Sequence, residues 1–204
     1  MSTLIVDYGM GNLSSVKRAL EEIGAPVYIS GDPAEVKEAT SIILPGVGAF
    51  GEGMVQLEST GLADALREHC AGGEIPLLGI CLGMQLLADR GSEGGDTKGL
   101  GLIPGTINRL QPQNEERLPH IGWNEAHPSE EHPMFTDIPS STDFYFVHSF
   151  HFDQAENHTV ATTPYAGGLS SVVALKKIWG VQFHPEKSSK AGLQLLHNFV
   201  SLHS

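Results

Sequence analysis

Four short apolar runs, Thr3–Val6, Pro26–Ile29, Ser41–Leu44 and Pro76–Ile80, punctuate the first eighty residues, the first ending at Asp7 and the third at Pro45. Their apolar character is continuous, not alternating, as expected of strands covered on both faces. The segments between them carry helical spacing. Leu13, Val16, Leu20 and Ile23 recur along Asn12–Ile23, and Gly24 follows as a stop signal. Pro33–Ala39 reads as a short helix capped by Asp32, and Leu57–Cys70 as a longer one. Strands alternating with helices in this way predict an α/β fold. Its sheet is open, mostly parallel and twisted, with helices packed on its faces.

Beyond Gly91 the pattern changes. Leu100–Ile103, Thr106–Leu110, Phe144–Val147, Val160–Thr163, Ser171–Lys176 and Ile178–Phe183 read as strands with few helices between them. Gln111–Pro139, rich in Pro, Glu and His, reads as loop, and Lys190–His203 as a closing helix. The C-terminal half is therefore expected to be the more strand-rich one. No linker-like break interrupts the hydrophobic pattern, so residues 1–204 are expected to form one domain. A chain of this length buries about 70% of its unfolded surface and folds without a disulfide or metal staple.

Charge and cysteine content remove several function classes. With 24 acidic and 12 basic residues the net charge is −12, and no basic run is present to meet a phosphate backbone, so no nucleic-acid partner is expected. Two cysteines do not make a disulfide framework. The N-terminus lacks a basic region, and its apolar run stops at Asp7, unlike a signal peptide. The longest membrane-span candidate, Ile75–Ala88, is short and broken by Pro76, Gly79, Gly83 and Gln85. The expectation is a soluble, cytoplasmic protein with no membrane association.

Within Leu77-Leu78-Gly79-Ile80-Cys81-Leu82-Gly83-Met84-Gln85 a buried strand runs straight into a helix, with Cys81 at the junction. Gly-x-Cys-x-Gly is the thiol form of a nucleophile elbow. Gly79 and Gly83 let strand and helix approach closely around a tight turn. The turn lifts the sulfur above the carboxyl edge of the sheet, the helix start favours thiolate, and the Leu82 N–H is left to face an oxyanion. The competing reading is a buried structural cysteine with glycines that serve packing. Cys70 has no such surroundings and is read as structural.

A thiolate nucleophile needs a base and a group to orient it. The strand Ile178–Phe183 delivers His184 at its end, Pro185 forces a turn, and Glu186 follows two residues on. Alone, His-x-Glu is more often a surface pair. Together with the elbow it becomes a Cys81–His184–Glu186 triad. The glycine-rich loop Leu44–Gly51 lies at a strand's carboxyl end, where open α/β sheets bind ligands. It offers a second oxyanion donor near Val47 and Gly48, and it is too glycine-rich to start a helix.

The elbow, the loop Pro45-Gly46-Val47-Gly48 and the motif Gln182-Phe183-His184-Pro185-Glu186 together resemble the class I, triad-type glutamine amidotransferases. Three further stretches, Val6–Leu13, Pro119–Asn124 and Tyr145–Ser149, resemble the glutaminase subunits of imidazole glycerol phosphate synthase in histidine biosynthesis. The resemblance implies that Cys81 attacks the side-chain amide of L-glutamine. A thioester then forms and is hydrolysed, with His184 moving protons and Glu186 orienting it. It implies an oxyanion held by Leu82 and by Val47 or Gly48, the latter after a peptide flip. It places the substrate against Gln85 and the backbone at Ser149 and Phe150, where Phe150 stands in place of a frequent tyrosine. The ammonia passes to a (β/α)8-barrel cyclase, which makes imidazole glycerol phosphate and aminoimidazole carboxamide ribotide. Such a barrel needs about 250 residues, so the partner is a second chain in a heterodimer. Asn12, Trp123, Tyr145 and Lys187 are implied to face it. No cofactor and no metal are expected.

Rival readings are weaker. The turn Gly9–Asn12 lacks the third glycine of a dinucleotide fingerprint, and Ile29 is followed by Ser30 and Gly31 instead of an acidic residue. His148-x-x-His151 with His120 could suggest a metal, but that spacing on a strand sends the two rings to opposite faces. A different Cys–His hydrolase on a similar sheet shares the triad, since glutamine specificity does not follow from the triad alone. A binding scaffold is disfavoured by the presence of all three triad residues.

Overall fold

A computed structural model describes residues 2–129, 131–153 and 157–202. The chain begins with β1 (Thr3–Val6), α1 (Leu13–Glu22), β2 (Val27–Ser30), β3 (Ser41–Gly46), α2 (Phe50–Ser59), α3 (Leu62–Cys70), β4 (Leu77–Cys81) and α4 (Leu82–Leu86). Strands β5 (Arg90–Gly91), β6 (Thr97–Lys98), β7 (Thr106–Arg109), β8 (His120–Pro128), β9 (Thr142–His148) and β10 (Phe150–Asp153) follow. The chain ends with β11 (Thr159–Thr163), β12 (Leu169–Leu175), β13 (Ile178–Val181) and α5 (Ser189–Ser201).

The open sheet has a parallel centre in the order β2-β1-β3-β4-β13. Beyond β13 it continues antiparallel through β12, β10 and β7, and the β8–β9 hairpin hangs from β11. The fold is thus the expected α/β sheet, with the strand-rich extension supplied by the second half of the chain.

Period-two alternation along the central strands builds a core on each face. Leu4, Val6, Ile42 and Leu44 point to the face covered by α2 and α3, beside Met54, Leu57, Leu62 and Leu66. Ile5, Ile43, Leu78 and Ile80 point to the other, beside Val16 and Leu20 of α1 and Leu195, Leu196 and Phe199 of α5. These apolar side chains are almost completely buried, which is why the strands read as continuous hydrophobic runs.

Several elements depart from expectation. Strand β3 runs through Pro45 to Gly46. Its pairing with β1 ends at Ile43, so the proline lies where one neighbour has already left the ladder. The expected helix Leu57–Cys70 is two helices, parted at Gly61 with φ +78°. Helix α2 starts at Phe50 despite Gly51 and Gly53; a Cβ at Gly53 would sit 3.1 Å from the Leu86 side chain and 3.4 Å from that of Leu82, a tight fit. Pro33–Glu35 forms only a single 3-10 turn, capped by the Asp32 carboxylate accepting the Ala34 N–H at 2.9 Å. Leu100–Ile103 is buried but is not a strand. Its N–H groups bond to the carbonyls of Leu86, Leu87 and Ala88 just past α4. Gln111–Pro139 is mostly irregular but contains the nine-residue β8, whose most exposed side chains are Ile121 and Trp123. The last residue of the expected closing helix, His203, lies outside the described residues.

Candidate active site

Three parallel strands deliver their carboxyl ends to one edge. Gly46 of β3 pairs in register with Cys81 of β4, and Val181 of β13 pairs with Ile80. The three residues after β13 then carry His184 over the end of β4. This is the edge at which open α/β sheets bind ligands.

Cys81 occupies φ +54°, ψ −110°, a conformation that costs an L-residue of order 1–3 kcal/mol. The glycines that flank it are fixed by contact. A Cβ at Gly83 would overlap the Leu44 carbonyl, and one at Gly79 would stand 2.6 Å from the Gly83 carbonyl oxygen. Helix α4 is five residues long, so what it offers the site is unpaired first-turn N–H groups more than a long helix's field.

The thiol is 7% exposed. Its Sγ donates toward the Val147 carbonyl at 3.9 Å and receives the Gln182 Nε2 at 3.8 Å. His184 and Glu186 form a buried pair, Nδ1 to Oε1 at 2.8 Å, with side chains 2% and 1% exposed. Burial alone would lower the imidazole's pKa. The sulfur of Cys81 and the carboxylate of Glu186 outweigh that and raise it to about 9. Among the described residues its Nε2 finds no hydrogen-bond partner within bonding geometry, so Cys81 and His184 lie side by side without a formed hydrogen bond. Glu186 holds Nδ1, leaving Nε2 as the nitrogen presented for proton transfer.

Cys81 and His184 line a cavity of about 370 Å³, at the small end for a ligand pocket. The structure brings together here Cys81, His184, Leu82, Val47, Gly48, Gln85, Ser149 and Phe150. The Gln85 amide is fixed by two acceptors, Phe150 O at 2.9 Å and Gln182 Oε1 at 3.1 Å. Val47 is 43% exposed, and Gly48 adopts φ +118°, which only glycine takes readily. A larger cavity, about 610 Å³ and lined by His132, Phe135 and Ile138 among others, contains no cysteine and brings no base to one.

Sequence reasoning missed two contributors. Glu93 is the one carboxylate in the cavity wall among the described residues, and its Oε2 accepts the Phe50 N–H at 2.8 Å. It comes from the β5–β6 turn, whose spacing from the elbow carries no motif. Tyr8 is buried with its hydroxyl unpartnered, packed where a Gly46 Cβ would be. Burial, then the nearby Cys81, pushes its pKa well above the usual phenol value.

Three of the four expected partner-facing residues gather on one patch. Trp123 lies opposite Tyr145 across the β8–β9 ladder, their rings 6.1 Å apart, and Lys187 Nζ sits 5.9 Å from the Tyr145 ring centre. Asn12 holds the N-cap position of α1, but its side chain makes no capping bond. Ile121 adds a further exposed apolar side chain to the same hairpin. His120 and His148 meet directly because they are cross-strand partners in that ladder. His151 falls on the next strand, and among the described residues no three His, Cys, Asp or Glu side chains are grouped to hold a metal. No helix among them is long and apolar enough to cross a membrane.

Comparison with known proteins gives a consistent family. The model for "Glutamine amidotransferase class-I" matches residues 4–202. The imidazole glycerol phosphate synthase subunit HisH of Moorella thermoacetica is 48% identical over 97% of this chain and 93% of its own. Its namesake from Methanosarcina barkeri is 45% identical over 98% of both chains. Among solved structures, one described as a glutamine amidotransferase superposes with a TM-score of 0.78, covering 100% of this chain and 99% of its own at 18% identity. Likeness at that identity speaks to fold, whereas the relatives near 45% speak to lineage, and on both counts the chain belongs to the class I glutamine amidotransferase family, among the HisH subunits of imidazole glycerol phosphate synthase.

Proposed function

We propose that this chain is a glutaminase that hydrolyses L-glutamine to glutamate and ammonia and passes the ammonia to a separate (β/α)8-barrel cyclase in histidine biosynthesis. The observation that carries the reading is the strained Cys81 beside His184 on the wall of a cavity sized for an amino acid, with Glu186 buried behind the imidazole. Family membership supports glutamine as the amide and a second subunit as the recipient.

In this reading the Cys81 thiol gives its proton to His184 Nε2, and the resulting thiolate attacks the Cδ of glutamine, forming a C–S bond while the amide π pair moves onto oxygen. The oxyanion is met by the Leu82 N–H and by one from Val47 or Gly48 once that peptide turns inward. His184, held protonated near neutrality, gives its proton to the amide nitrogen. The C–N bond breaks, ammonia departs and a thioester remains. The imidazole then takes a proton from water, whose oxygen attacks the thioester and releases glutamate and the thiol. Glu186 orients the ring throughout. Glu93, a carboxylate in the pocket wall, is suited to the substrate's α-ammonium, and the Phe150 carbonyl and Gln85 amide help shape the pocket.

Residues 1–204 act as one domain in this proposal. The partner docks on the face that carries Ile121, Trp123, Tyr145 and Lys187, with Asn12 at its margin. The test is glutamate release from glutamine by the chain alone and with a barrel cyclase plus its ribonucleotide ligand. Strong stimulation only in the full mixture is expected. Vigorous hydrolysis by the chain alone, unchanged by the partner, would sink the histidine-pathway assignment while keeping the triad. Glu186→Gln is expected to slow turnover less than Cys81→Ala, because it orients and does not react.

A further inference from the structure

A chain of side-chain hydrogen bonds, separate from the triad, runs from the β8–β9 hairpin into the pocket wall. Asn124 Nδ2 meets His120 Nε2 at 3.2 Å, His120 Nδ1 meets His148 Nε2 at 2.9 Å, and His148 Nδ1 meets the Phe150 carbonyl at 2.8 Å. Both histidines are buried, at 4% and 6% exposure. The His120 ring is sandwiched between Phe146 at 4.8 Å and Tyr165 at 3.9 Å, so it has little freedom to turn.

The direction of this chain follows from what each atom can do. A carbonyl oxygen only accepts, so the His148 proton sits on Nδ1. Burial keeps the ring neutral, so its Nε2 is an acceptor and the His120 proton must also sit on Nδ1. His120 Nε2 then accepts from the Asn124 amide. Every ring nitrogen is used once, and reversal at any link would leave two acceptors or two donors facing each other in a buried site.

The Phe150 carbonyl at the end of the chain also accepts the Gln85 amide, so both of its lone pairs are engaged. Gln85 Nε2 in turn reaches Gln182 Oε1, and Gln182 Nε2 reaches the Cys81 sulfur. Ser149 lies between β9 and β10, its carbonyl accepting the Leu110 N–H, and Phe150 opens β10 opposite Arg109; both line the cavity.

We propose that His120 and His148 are positioning residues for the substrate: their one-way hydrogen-bond chain fixes the Phe150 carbonyl, and through it the Gln85 amide, against the glutamine pocket. The inference rests on the glutaminase reading above. It assigns the hairpin a role in the pocket besides its exposed face.

The test uses the chain assembled with its cyclase. His120→Leu removes the donor to His148 and is expected to raise KM for glutamine about tenfold, the effect of one lost hydrogen bond, with a smaller change in kcat. His120→Asn, whose amide nitrogen can take the Nδ1 position, is expected to restore KM. Ammonia-dependent cyclisation should stay at the wild-type level in both, which reports intact folding and assembly. His120→Gln moves the donor off the Nδ1 position and substitutes for the leucine variant should that fail to fold. Nitrogen NMR of the histidine-labelled chain near pH 7 should find both rings neutral with the proton on Nδ1. An unchanged KM in a folded His120→Leu or His120→Gln variant, or a ring protonated on Nε2, would overturn the proposal. Absence of glutamate release from the wild-type complex would sink the glutaminase reading and the positioning role with it, while the NMR result would still report the direction of the chain.

Discussion

The backbone carbonyl of Tyr145 accepts the His184 N–H at 2.9 Å, tying the proposed base to β9 at a residue whose own side chain lies beside Trp123. The link is doubled by Ser188. Its Oγ accepts the Tyr145 N–H at 3.0 Å and donates to the His184 carbonyl at 2.6 Å. Ser188 is 1% exposed, so Ser188→Ala leaves a donor and an acceptor with no replacement. A loss of about 1–3 kcal/mol of stability is expected. Glutamine-dependent kcat should fall as the base loses its clamp, while ammonia-dependent turnover of the assembled enzyme holds. Thermal melting and the two activities check this together; an unchanged kcat in a destabilised Ser188→Ala would show that the clamp serves stability alone.

Cys81 carries the strain and, in the proposed reaction, the chemistry, and substitution separates them. Cys81→Ala and Cys81→Gly should both abolish glutamate release. Only glycine relieves φ +54°, so Cys81→Gly should melt above Cys81→Ala, by about 1 kcal/mol of stability. Equal melting temperatures would mean that the elbow is unstrained.

How much of this was legible beforehand differs by element. The parallel strands, the elbow and the His184–Glu186 turn were readable because each is local: a continuous apolar run, glycines around one cysteine, a proline after one histidine. The β8 strand was not, because its inward face includes His120, Gly122 and Asn124 in place of a run of aliphatics. The His120–His148 contact was hidden for the same reason. Spacing compares His148 with His151, whereas strand pairing places His148 opposite His120. Glu93 was invisible because a single carboxylate in a two-strand turn has no pattern until the fold brings it to the cavity.

Gly83 tests the close approach of strand and helix. A Cβ there would overlap the Leu44 carbonyl, which is main chain of a central strand and cannot yield cheaply. Gly83→Ala is expected to cost about 3 kcal/mol or more, enough to lower soluble yield sharply. Gly94→Ala is the control, because no atom lies within 4 Å of a Cβ there and only its positive φ of +73° is penalised. A Gly83→Ala chain as stable as Gly94→Ala would disprove the contact.

The buried histidines set opposite limits on pH stability. Burial lowers His120 to about 4 and His148 to about 3, against 6.5 for an unfolded histidine. The unfolded chain therefore binds more protons below pH 6.5, and stability should decline as pH falls from there toward 4. His184 behaves the other way. Burial would lower it, but Cys81 and Glu186 raise it to about 9, so its contribution is full below pH 6.5 and is lost as pH rises through 9. Melting temperature should accordingly peak near pH 6.5. Between pH 6.5 and 5, above the ordinary carboxylate range, His120→Phe should flatten the acid limb. His184→Ala should flatten the alkaline limb and leave the acid one in place. Melts of the three proteins across pH 5–9 decide this, and an acid limb unaltered by His120→Phe would mean that the ring is not held neutral by its burial.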